Sequence, residues 1–220
     1  MPTATRNRPA PSPQLSGTAV MAILRSADSA HVEAVARTLV EAGVTCLELT
    51  LTIPGALDLL PRLREALPAG LDLGIGTVTS AEEARAAVDA GAHFLVCPTV
   101  SLDVLEVATA SEVPCYPGAW TPTEVLTAWR AGATAVKLFP AATGGPAHLR
   151  RLRDPLPDIP ILPTGGVALD HVDDYLKAGA FAVGLGSPLI GDALAGGDLD
   201  ALADRARTVL GTVAASRSGR

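Results

Sequence analysis

Two charged residues stand inside stretches that otherwise read as buried strands: Glu48 in "CLELTL" and Lys137 in "ATAVKLFPAA". Burying either charge alone is costly, whereas partners across a shared cavity help each other. A structural ion pair is the plainer reading of the two. The lysine usage argues for more, because the chain has two lysines against fifteen arginines. Arginine stays charged in a protein, but a desolvated lysine can lose its proton near neutral pH and become a nucleophile. That is the chemistry of a Schiff-base lysine, with a neighbouring carboxylate as general acid and base.

The elements that position these residues repeat. "EAGVTCLEL", "DAGAHFLVC", "RAGATAVKL" and "KAGAFAVGL" each end a helical pattern with a glycine and enter a short apolar strand. A glycine just past a helix supplies the left-handed conformation that stops it. The spacing of Gly43, Gly91, Gly132 and Gly179 leaves room for two βα units in each gap. Strands are expected in "TAVMAILR", "TCLELTL", "LDLGIGTV", "HFLVCP", "PCYPG", "TAVKLFP", "IPILPTGG" and "AFAVGLGS". Amphipathic helices fall between them, with Ser80 and Thr121 as N-caps followed three residues later by Glu83 and Glu124. Eight alternating units predict an α/β protein with a single (β/α)8 barrel over residues 18–214. A doubly wound open sheet is the alternative, but no G-x-G-x-x-G between strand and helix supports it.

Barrels of this kind build their sites at the C-terminal ends of the strands. The residues expected there are Arg25 after the first strand; Glu48, Thr50 and Thr52 on and after the second; Thr77, Pro98 and Gly118 after the next three; Lys137 and Phe139 on the sixth; and Thr164 on the seventh. Glycine clusters follow the last two strands, Gly165 and Gly166 in "PTGG" and Gly186 with Ser187 in "GLGS". Tight turns explain either cluster alone. Two clusters in these places point to phosphate binding, with Ser187 as N-cap and Pro188 as first residue of a short helix.

Other residues carry less. His31, His93, His148 and His171 fall in or beside helices without ligand spacing and read as packing or surface groups. Cys46, Cys97 and Cys115 are widely spaced, an odd count without C-x-x-C, which favours neither a disulfide framework nor a zinc site. They read as buried thiols of a cytoplasmic protein. Trp129 reads as packing, while Trp120, just after "YPG", is placed to line the mouth. A net charge of -6 and 3% aromatics give no footprint for nucleic acid. No apolar run reaches the roughly 20 residues of a membrane span. Residues 1–17, rich in Pro, Ser and Thr without an apolar core, predict a disordered lead-in, and residues 215–220 a frayed tail.

Taken together, "AILR", "LELTLTIPGA", "GIGTV", "YPGAWTPTE", "KLFPA", "LPTGGV" and "GLGS" resemble the class I aldolases that cleave 2-keto-3-deoxy-6-phosphogluconate (KDPG) and 4-hydroxy-2-oxoglutarate (KHG). The resemblance covers about residues 18–212. It implies that Lys137 forms the Schiff base, Glu48 is the general acid/base, Thr77 contacts the keto acid, and Gly165, Gly166 and Ser187 hold phosphate. It also implies a homotrimer acting on a small 2-keto acid, with no metal or other cofactor. One position departs from the pattern. Some members carry a carboxylate-binding arginine where this chain has Thr52, and Arg25 is the nearest replacement. Thr164 matches the gluconate-type enzymes, whereas galactonate-type relatives tend to carry valine there. Two rivals use the same barrel differently: a phosphate-binding isomerase, epimerase or thiamin-phosphate synthase, and a non-catalytic binding module. Neither needs a strand-borne lysine matched with a glutamate.

Overall fold

The computed structural model describes residues 8–218. Strands and helices alternate along it. In chain order they are α1 (Pro13–Thr18), β1 (Val20–Leu24), α2 (Val32–Glu41), β2 (Cys46–Thr50), α3 (Ala56–Ala66), β3 (Asp72–Gly76), α4 (Ala81–Asp89), β4 (Leu95–Val96) and α5 (Leu102–Ala110). Then come β5 (Cys115–Tyr116), β6 (Gly118–Ala119), α6 (Pro122–Arg130), β7 (Val136–Leu138), α7 (Ala141–Arg153), β8 (Ile161–Pro163), α8 (Val172–Lys177), β9 (Val183–Leu185), α9 (Ser187–Ile190) and α10 (Leu199–Ser218). Helix α7 is broken at Gly145 (φ 62°), after which Pro146 opens its second part.

Every strand ladder is parallel. Both faces of the longer strands are buried, as a parallel sheet requires when helices cover its outside. Each of the eight expected stretches holds a strand, but they do not form one continuous eight-stranded sheet. A curled sheet of six strands runs β5-β4-β3-β2-β1-β9, and a second of three runs β6-β7-β8. The fifth stretch is split because Pro117 stands between β5 and β6 and has no N–H to give to a ladder. Between β8 and β9 the pairing is a single bridge, Thr164 to Gly184, with the Phe181 N–H donating to the Ile161 carbonyl at 2.9 Å.

The helix ends follow the sequence closely. Gly43, Gly91, Gly132 and Gly179 each follow a helix C-cap with φ between 85° and 105°, a region L side chains avoid. Thr121 and Glu124 form a complete capping box. Ser80 accepts from the Glu83 N–H, but the Glu83 carboxylate turns to the Thr79 N–H and hydroxyl, so only half of that box forms.

The N-terminal expectation is corrected in part. Residues 1–7 lie outside the described residues, but 13–18 are helical. Ser12 caps this turn, donates to the Asp72 carboxylate at the start of β3, and sends Leu15 into the core. Arg217 on α10 donates to the carbonyls of Ser16 and Gly17. A capping serine, a proline at the first helical position and one leucine to bury are enough to order the segment. Likewise α10 carries order through Ser218, while residues 219 and 220 lie outside the described residues.

Candidate active site

Alternation along β2 puts Glu48 and Thr50 on one face and Leu47 and Leu49 on the other. Glu48 is 1% exposed, and neither carboxylate oxygen has a hydrogen-bond partner among the described residues. Burial pushes its pKa above the usual carboxylate value, while the Lys137 ammonium and, more weakly, the Arg25 guanidinium pull it back. Space for the carboxylate comes from the neighbouring strand. Gly76 has no side chain, and a Cβ there would overlap the Glu48 carboxyl group.

Lys137 is the middle residue of β7 and is 5% exposed. Its backbone N–H donates to the Pro117 carbonyl at 2.9 Å. Its Nζ stands 4.9 Å from the centre of the Phe139 ring, which is itself 36% exposed. Phe139 covers Gly165, where a Cβ would press on the ring at 2.8 Å. Trp120 fixes the next residue by donating its indole N–H to the Pro140 carbonyl at 3.2 Å, and its ring stacks on His148 at 4.3 Å.

The ends of β1, β2 and β3 supply the polar rim. Arg25 donates to the Thr77 hydroxyl at 3.2 Å. Thr77 has φ 65°, left-handed, which is strained for a β-branched residue and is found chiefly where function holds it. Thr50 contacts the Leu24 carbonyl at 3.1 Å and the Thr52 hydroxyl at 2.7 Å. Thr164 is buried at the end of β8, beside Gly184, whose missing side chain leaves room for its hydroxyl. Gly118 lies against the Pro98 carbonyl, too close for a side chain, so these two residues join neighbouring strand ends.

The glycine clusters stand where the sequence put them, with one shift. Gly165 and Gly166 both have positive φ (89° and 72°), and the Ala142 N–H donates to the Gly165 carbonyl at 3.0 Å. At α9 the N-cap is Gly186, not Ser187, and Ser187 is the first helical residue. The helix starts one residue early because its first turn closes onto Gly186, whose carbonyl accepts from the Leu189 and Ile190 N–H groups. A cleft of about 100 Å³ opens here, bounded by Ile23, Arg25, Gly186, Ser187, Ile190 and Leu194. Two larger hollows lie among α4, α5 and α6 and touch none of these residues.

Thus Glu48, Lys137, Arg25, Thr52, Thr77 and Thr164 stand at or just below the same strand ends, with Gly165, Gly166, Gly186 and Ser187 on the adjoining loops. The sequence reading missed Gly76, and it placed Thr50 at the end of the second strand without giving it a role. The one local signal at Gly76 was the repeated glycine in "GIG", and Thr50 stands two residues from Glu48 on the same face. The three cysteines are free and buried, and among the described residues no cluster of His, Cys, Asp or Glu is arranged to hold a metal ion. No described helix is long and apolar enough to cross a membrane.

Residues 13–204 match the family described as KDPG and KHG aldolase. The chain belongs to that family. Among its relatives, the 2-dehydro-3-deoxy-phosphogluconate aldolase of Pseudomonas aeruginosa is 42% identical over 71% of this chain and 70% of its own. The probable 2-dehydro-3-deoxy-6-phosphogalactonate aldolase of Rhizobium meliloti is 34% identical over 82% of this chain and 85% of its own. Among solved structures, the KDPG aldolase of Legionella pneumophila superposes with a TM-score of 0.79 and 26% identity, covering 90% of this chain and 98% of that one. That structure captured pyruvate as a covalent carbinolamine. Within this aldolase, Glu48 and Lys137 are a buried acid and a buried base on parallel strands.

Proposed function

We propose that this aldolase cleaves 2-dehydro-3-deoxy-6-phosphogluconate to pyruvate and glyceraldehyde 3-phosphate, and 4-hydroxy-2-oxoglutarate to pyruvate and glyoxylate, with Lys137 as the Schiff-base amine. The observation that carries the reading is Glu48: a buried carboxylate with both oxygens unpartnered among the described residues, in the field of a buried lysine. An unpaired buried charge is costly, and proteins keep such groups where chemistry uses them.

The steps follow from these residues. The Lys137 amine adds to the C2 carbonyl, and the carbinolamine loses water to give an iminium. Glu48 takes the C4 hydroxyl proton, directly or through one water. The C3–C4 bond breaks and its electron pair flows into the iminium, forming an enamine as the aldehyde leaves. Glu48 then returns a proton to C3, and hydrolysis releases pyruvate and the free lysine. Burial raises the proton affinity of the Glu48 carboxylate, which makes it a better base for this task. Arg25 and Thr77 hold the substrate carboxylate, with Thr52, Pro98, Gly118, Phe139 and Thr164 bordering the carbon chain. Gly165, Gly166, Gly186 and Ser187 receive the phosphate. In this reading the two sheets act as one closed (β/α)8 barrel, joined at Pro117 and at the Thr164–Gly184 bridge. The assembly is a cytoplasmic homotrimer, and sedimentation at the mass of three chains is the expected result.

Pyruvate plus sodium borohydride, followed by intact-mass measurement and peptide mapping, tests the mechanism. A reduced pyruvyl adduct on Lys137, absent without pyruvate, is expected. No adduct, or one on Lys177, overturns it in favour of a phosphate-binding isomerase. The galactonate epimer is a second reading, favoured by the 34% identity to the Rhizobium meliloti relative. Turnover of the two epimers side by side separates them, and the buried Thr164 hydroxyl favours the gluconate form.

A further inference from the structure

The ends of three adjacent strands hold a hydrogen-bonded cluster whose proton directions can be worked out. The strands lie in the order β3-β2-β1, so Arg25, reaching from β1 to the Thr77 hydroxyl on β3, crosses the end of β2. There stand Thr50 and Thr52, their hydroxyl oxygens 2.7 Å apart. A threonine hydroxyl has one proton to give. The Thr50 oxygen is 3.1 Å from the Leu24 carbonyl, which only accepts, and Thr50 is fully buried. Thr50 therefore donates to Leu24. Were its proton turned to Thr52, two oxygens with lone pairs would face each other without a proton between them, out of reach of water. Thr52 must then be the donor in the shorter contact. Its proton points inward, and this exposed hydroxyl offers only lone pairs to the mouth. Thr77 is the opposite case: its oxygen accepts from Arg25, and its own proton has no acceptor among the described residues.

We propose that Thr50 is a positioning residue that makes the Thr52 hydroxyl an acceptor-only group, so that the carboxylate of a 2-keto acid is turned from Thr52 onto the Arg25 guanidinium and the Thr77 hydroxyl. The inference rests on the Schiff-base reading, because the carboxylate is bonded to the carbon that Lys137 attacks. An anion is repelled by the lone pairs of Thr52 and attracted by the guanidinium and by a free O–H. Thr50 touches no substrate in this arrangement and acts only through the proton it takes from Thr52.

A double-mutant cycle tests it, read as the pyruvate concentration that half-saturates borohydride inactivation. Thr50→Val removes the acceptor and frees the Thr52 proton for the carboxylate. Half-saturation is expected to fall about three- to tenfold, the worth of one added hydrogen bond. Thr50→Ser, which keeps the hydroxyl, is expected to stay at the wild-type value. In a Thr52→Val background, Thr50→Val is expected to shift half-saturation by less than about twofold, since the relay no longer exists. Should Thr50→Val not fold, Thr50→Cys, a poorer acceptor of nearly the same shape, gives a smaller shift of the same sign. Equal shifts in both backgrounds, a rise, or no shift in either would overturn the role of Thr50. Failure of the wild-type chain to form any pyruvate adduct would overturn the Schiff-base reading instead, so the two failures are distinguishable.

Discussion

Gly76→Ala is the smallest change that reaches the acid/base group without altering it. A Cβ at Gly76 overlaps the Glu48 carboxyl group and lies 2.6 Å from its Cγ. Carbon atoms in contact sit at about 3.5 Å or more, so the Glu48 side chain must move by about 1 Å. Displacing a catalytic group by about 1 Å costs on the order of a hundredfold in rate. The stability cost is a separate quantity. Overpacking costs about 1–3 kcal/mol, and loss of glycine flexibility in the unfolded chain returns about 0.4–1 kcal/mol. The net loss of roughly 1–2 kcal/mol lowers Tm by about 2–8 °C for a chain of this size. Cleavage is followed by coupling pyruvate release to a dehydrogenase, and unfolding by circular dichroism. Gly211→Ala is the structural control: nothing lies within 4 Å of an added Cβ there, and inside α10 alanine is favoured over glycine by about 0.5–1 kcal/mol, so its Tm is expected to rise by about 1–4 °C. Combining Gly76→Ala with Glu48→Ala removes the overlap, and the added Tm loss is expected to disappear. A Gly76→Ala enzyme with kcat within threefold of wild type, or an equal Tm loss in both backgrounds, refutes the reasoning.

Glu48→Gln is expected to abolish most turnover and to change how stability depends on pH. The folded pKa of Glu48 is raised above its ordinary value of 4.5, so the folded state holds its proton more tightly than the unfolded state. Its ionisation therefore destabilises the fold fully above the raised pKa, and that cost fades as pH falls towards 4.5. Urea titrations of wild type and Glu48→Gln across this window should show wild type gaining on the variant as pH falls; a gap that is flat or widens the other way counts against the burial argument. Thr77→Gly relieves a left-handed conformation costing about 1–2 kcal/mol and gives back about 0.4–1 kcal/mol to the unfolded chain. Tm is expected to rise by about 1–4 °C while half-saturating pyruvate increases; a lower Tm would show that Thr77 is not strained.

What could be read from the sequence was whatever one residue decides locally. The glycines after the helices, the Thr121 cap and the two charges in apolar strands each announce themselves by type and immediate neighbours. The same holds for the burial of Glu48 and Lys137, because an apolar run on both sides leaves a parallel strand no solvent face. Features decided by two strands at once were not readable. Pro117 was visible as a residue, but its effect depends on which ladder its missing N–H interrupts. Leu15 gave no sign, since a single leucine among Pro, Ser and Thr has no periodicity to detect.

Gly76 shows why the active face was only half legible. Glycine in a strand is ordinarily a weakness, and here its reason is the Glu48 carboxyl group on the next strand. Register makes that pairing: Glu48 stands opposite Gly74 and Thr50 opposite Gly76, so a carboxylate leaning towards the strand end lies over Gly76. A one-residue slip would put the side chain of Ile75 or Thr77 beside the carboxylate instead. The acid/base group is therefore specified by a residue with no side chain, through a register that only the folded sheet defines. Gly76→Ala measures that dependence directly, because it alters neither charge and removes no hydrogen bond.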